Sequence, residues 1–121
     1  MFNPNFFERV KTVAVDKSLK IYAEQINKSC PVKVDEYTQL NFIDALPNRI
    51  LKYDYTLAVD KSQVDPNLFN EQIESQLINN IQNNPQMEML RNNKTTFIHV
   101  YKDLKGNGIA EIEITPEEYE Q

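Results

Sequence analysis

One cysteine, one histidine, two glycines and no tryptophan among 121 residues remove much catalytic chemistry before any pattern is sought. With Cys30 alone, neither an intrachain disulfide nor a cysteine metal cage can form. A cysteine-histidine nucleophile would have to join Cys30 to His99, residues distant in sequence and without a local signature. Each has a plainer role: Cys30 as a small hydrophobe beside a helix end, His99 on a strand face beside Phe97 and Tyr101. A lone cysteine leans towards a reducing compartment, though exported domains also lack cysteines. Gly106 and Gly108 sit where a hairpin turns, not between a strand and a helix as a phosphate loop requires. The carboxylates miss the calcium-loop spacing, so neither metal nor cofactor is expected.

Long apolar runs are missing too. None approaches the ~20 residues that span a bilayer, and the opening MFNPNFFERVK lacks the basic head and apolar stretch of a secretory leader. No membrane insertion and a cytoplasmic location are expected. A basic stripe is equally absent, which argues against nucleic acid as a partner. The net charge of -5 is local: residues 1–110 hold 13 bases and 13 acids, and Glu111, Glu113, Glu117, Glu118 and Glu120 supply the excess. That acidic tail, 116–121, is either a solubilising end or a steering patch for a basic partner.

What remains is the composition of one packed domain over 1–121, with 40% hydrophobic and 26% charged residues. Asn3-Pro4 opens a helical stripe of Phe6, Phe7, Val10 and Ala14, and Leu19, Tyr22, Ala23 and Ile26 continue it. One kinked helix and two short ones both fit, ending by Pro31. The period then becomes two. Tyr37–Leu46 and Arg49–Val59 form a hairpin across Pro47-Asn48, with Leu51, Tyr53, Tyr55 and Leu57 on one face and Lys52, Asp54 and Thr56 on the other.

Asp65-Pro66 caps a second helix carrying Phe69, Ile73, Leu77 and Ile81, and Asn84-Pro85 starts a short third one. Thr95–Tyr101 and Ile109–Thr115 make a second hairpin, after which Pro116 stops the strand and the end is expected to fray. The pattern predicts an α+β fold in the order αββαββ, a four-stranded antiparallel sheet with helices packed on one face and the other face open. Aromatics at alternating spacing are core or interface residues. The candidate partner-binding set is Lys52, Asp54, Thr56, Tyr101, Glu111 and Glu113. A non-catalytic protein-binding module is expected, of the accessory, inhibitor, immunity or chaperone-like kind. The alternative is a structural protein whose open face is buried in a homodimer.

The segments TLAVDKSQVDP, QLINNIQNNPQM and HVYKDLKGNGIAEIEITPEEY resemble a family of small uncharacterised bacterial α+β proteins, many carried behind export signals. SLKIYAEQINKSCP and VDEYTQLNFIDALPNRILKYDYTL follow its order, so the likeness covers residues 18–119 and leaves 1–17 as a helical N-terminal extension. Members commonly have cysteines where this chain has Gln82 and Tyr119, which suggests a disulfide from helix end to tail that is missing here. The resemblance implies a fold and no activity.

Overall fold

The computed structural model describes residues 4–120. Its elements are α1 (Pro4–Asn27), β1 (Val32–Lys33), β2 (Thr38–Leu46), β3 (Ile50–Leu57), α2 (Pro66–Asn83), α3 (Glu88–Asn92), β4 (Thr96–Lys102), β5 (Gly108–Ile114) and α4 (Pro116–Tyr119). The first helix is thus one continuous element and not two short ones. Asp65 caps α2 by accepting from the amides of Asn67 and Leu68, with Pro66 at the first helical position. Asn84 repeats the device for the 3-10 turn that leads into α3.

The sheet has five strands in the order β1-β2-β3-β4-β5, which corrects the four-stranded antiparallel expectation in two ways. A short edge strand, β1, pairs with β2, and β3 runs parallel to β4. The parallel step has a topological cause. Both hairpins were legible, but the helical connection from β3 returns the chain to the end at which β3 began, so β4 starts in the same direction.

One sheet face is covered and the other is bare. Leu40, Ile43, Leu51, Tyr53, Tyr55, Leu57, Phe97, Tyr101, Ile112 and Ile114 are buried together with Leu19 and Ala23 of α1, Ile81 of α2, Leu90 of α3 and Tyr119 of α4. At the centre is an aromatic ladder across β3 and β4, in which Tyr53 stacks on His99 at 4.8 Å between ring centroids and Tyr55 on Tyr101 at 4.7 Å. Phe69 and Tyr119 close on it edge-on.

Residues 116–120 are folded where fraying was expected, and Gln121 lies outside the described residues. Thr115 and Glu118 form a capping box at α4, and the Tyr119 hydroxyl donates to the Thr95 carbonyl at 2.7 Å. Gln82 and Tyr119 line one cleft of about 520 Å³ with Arg91, Lys94 and Glu120.

Candidate functional site

The bare sheet face is built from the residues that alternate with the core positions. Strand register sets them in rows. Phe42, Asp54, Val100 and Glu111 form one, and Asp44, Lys52, Ile98 and Glu113 form the next. Gln39, Thr56 and Lys102 continue the face on the far side. Five of the six sequence candidates, Lys52, Asp54, Thr56, Glu111 and Glu113, therefore do share a surface. Tyr101 does not: it is only 2% exposed and stacks within the covered core. The period of two placed Tyr101 with Phe97 and His99, and the core claimed all three.

A hydrogen-bond network organises the middle of the face. The register shifts between Leu40 and Phe42, and Asn41, the extra residue of this bulge, reaches over the sheet. Its Nδ2 donates to Asp54 Oδ1 at 2.9 Å and to Thr56 Oγ1 at 2.8 Å, and its Oδ1 accepts from Gln39 Nε2 at 2.9 Å. Lys102 Nζ closes on Asp54 Oδ2 at 3.2 Å. These contacts cover the Asp54 carboxylate, which is buried rather than offered to solvent. Asp54 is thus the pivot that holds Asn41, Thr56 and Lys102 in place, and not a contact residue. Sequence reasoning missed Asn41 and Lys102, and no local signal marks a bulge at Asn41.

Around this polar centre the surface is mixed. Phe42 is exposed, and Ile50, Ile98 and Val100 are partly so. Lys52 lies across from Asp44 without closing an ion pair, and Glu111 and Glu113 point outward from the edge strand β5. A face with apolar patches, one organised dipolar centre and charges of both signs suits a protein surface better than a polyanion.

The other chemistry-bearing groups are placed elsewhere. His99 sits in the core, where Nδ1 meets the Tyr55 hydroxyl at 3.1 Å and Nε2 has no partner among the described residues. Burial holds its pKa down at about 4. Burial likewise raises the hydroxyls of Tyr53, Tyr55, Tyr101 and Tyr119, the last to about 12. Asp103 is wrapped by its own hairpin and by the turn after β3: its carboxylate accepts from the amides of Lys105 at 2.9 Å and Asn107 at 2.8 Å, and from that of Lys61 at 3.0 Å. Burial raises that group, but the backbone donors outweigh it and hold the carboxyl below its ordinary value. This is turn chemistry. No group of three or more potential metal ligands exists among the described residues.

Solved bacterial structures share this architecture. A candidate secreted protein of Pseudomonas aeruginosa superposes with a TM-score of 0.75 at 14% identity, covering 90% of this chain and 96% of that one. The pilotin EpsS of the Vibrio vulnificus type 2 secretion system superposes with a TM-score of 0.75 at 11% identity, over 90% of this chain and 94% of its own. AspS, the type II secretion system pilotin of Vibrio cholerae, reaches 0.71 at 12% identity, over 89% and 94%. At such identities the likeness is one of fold. No curated protein matches the chain significantly. Residues 14–109 do match the family described as Domain of unknown function (DUF8479), and the chain belongs to that family.

Proposed function

We propose that this protein is a non-catalytic binding module that holds a protein partner against its bare sheet face. The observation that carries the reading is the Asn41-Asp54-Thr56-Lys102 network, a prearranged polar centre on a face that no helix covers. Preorganisation of this kind lowers the cost of ordering side chains on association. Lys52, Glu111 and Glu113 ring that centre with charges that set the register of a partner, and Phe42 offers an apolar anchor. The burial of His99 supports the non-catalytic part of the reading, since the most versatile acid-base group is sealed in the core.

The company of a candidate secreted protein and two pilotins supports an accessory role of the pilotin type, in an exported location instead of the cytoplasmic one expected from sequence. No described helix is long and apolar enough to cross a membrane. Fractionation of the cell that encodes the chain tests the location: recovery outside the cytoplasm agrees, and exclusive cytoplasmic recovery rejects it. The binding reading is tested by co-purification from that cell with Phe42→Glu, Lys52→Glu and, on the exposed side of α2, Leu68→Glu variants. Loss of the same bound protein with the first two, and retention with the third, supports the face. Retention with all three rejects it.

A further inference from the structure

Helix α1 has two apolar faces. Leu19, Ala23 and Ile26 point to the sheet, whereas Phe6, Val10, Val13 and Ile21 lie on the opposite side and are 52%, 52%, 59% and 57% exposed. Their spacing of four, three and eight residues keeps them within one stripe roughly 80° wide, with Lys17 between Val13 and Ile21. Phe7, 48% exposed, extends the patch at the N-terminal end and meets the Phe6 ring edge-on at 5.8 Å. A shallow groove lined by Phe6, Arg9, Val10 and Val13 encloses about 440 Å³. An apolar patch of several hundred Å² is often a functional one.

We infer that a second copy of this chain covers it, with α1 packed antiparallel on its own counterpart about a two-fold axis near Val13 and Ala14. Area is the first argument. Five large side chains about half exposed leave roughly 500 Å² apolar per copy, so pairing buries about 1,000 Å², the lower bound of specific interfaces. Symmetry is the second: the two-fold sets Phe6 against Ile21 and Val10 against the aliphatic stem of Lys17, so the patch is complementary to itself. Charge is the third. Within α1, Arg9, Lys11, Lys17 and Lys20 stand against Glu8, Asp16 and Glu24, so the helix is close to neutral. The acidic excess lies at β5 and α4, whereas α1 packs on β2 and β3, towards the opposite edge of the sheet. Pairing through α1 keeps those like charges apart, whereas pairing through β5 would set Glu111 and Glu113 against themselves.

This interface is independent of the bare sheet face and can fail without it. Most of its residues precede position 14, where the family match begins.

Sedimentation equilibrium of the full chain tests it, with Val10→Glu/Val13→Lys as the variant. A wild type that doubles its mass with rising concentration, and a variant that stays monomeric with unchanged helical circular dichroism and melting, is the expected result. In a Cys30→Ser background, Val13→Cys forms a disulfide-linked dimer on mild oxidation and Ile21→Cys does not. Efficient linkage by both would overturn the antiparallel arrangement. A wild type that is monomeric at millimolar concentration overturns the proposal. So does a variant that still dimerises, or a monomeric wild type that sediments with phosphatidylglycerol vesicles.

Discussion

His99 and Asn27 show how single side chains set the stability of this domain. His99 is neutral in the folded chain down to about pH 4 because burial excludes its charged form, whereas in the unfolded chain it titrates near the ordinary imidazole value of 6.5. The unfolded state therefore binds more protons between those values, and stability falls as pH drops through that window by about 1.4 kcal/mol per pH unit. Urea unfolding at pH 6.5, 5.5 and 4.5 should show this slope. His99→Phe, which removes the titrating group from the aromatic ladder, should flatten it. Asn27 works differently. Its side chain accepts from the Ile43 amide at 2.7 Å and donates to the Ile43 carbonyl at 2.9 Å, standing in for a neighbouring strand where β1 is too short to reach. Asn27→Ala leaves two backbone groups unpaired and should cost about 1–3 kcal/mol in chemical denaturation. Asp16 acts similarly at the other end of the β2–β3 turn, accepting from the amides of Asn48 and Arg49, both with positive φ.

At the level of elements, α3 is small but central. Leu90 is fully buried, and Arg91 Nη1 donates to the carbonyls of Ile81 and Asn84 at 2.8 Å each, closing the C-terminal end of α2. Leu90→Ala should destabilise by about 2–5 kcal/mol through the cavity it opens. Arg91→Ala should destabilise by about 1–2 kcal/mol, with only partial recovery in Arg91→Lys because an ammonium lacks the planar fork. Both are read from thermal unfolding. Elements of this kind were largely legible in the sequence, because their signals are local. Asp65-Pro66 and Asn84-Pro85 each cap where they were expected to, and the alternation through Leu51, Tyr53, Tyr55 and Leu57 is the core face of β3. The 3-10 turn Lys61–Gln63, β1 and α4 were missed. β1 is only two residues long, too short for a period to show. α4 is held by Tyr119, whose burial depends on Phe97 and Thr95 more than twenty residues away.

The whole molecule depends on contacts that no local pattern carries. The parallel β3–β4 pairing arises from how two hairpins meet across a helix, so its information lies in topology and not in either hairpin. The candidate surface was half legible for the same reason. Alternation alone put Lys52, Asp54 and Thr56 on a shared face, but only the bulge at Asn41 and the reach of Lys102 decide that Asp54 is covered. Tyr101 was assigned to the surface because its neighbours across β3 and β4 cannot be read from one strand. With those corrections, the bare face has a polar centre, an apolar anchor at Phe42 and a charged rim of Lys52, Glu111 and Glu113.

Photo-cross-linking in the cell that encodes the chain tests that assignment most directly, with a photoreactive residue at position 52, 113 or 75 in turn. Ser75 lies on the exposed side of α2, away from the bare face. The account predicts one shared cross-linked protein from positions 52 and 113 and none from 75. Cross-linking to that protein from position 75 alone, or equally from all three, would contradict it.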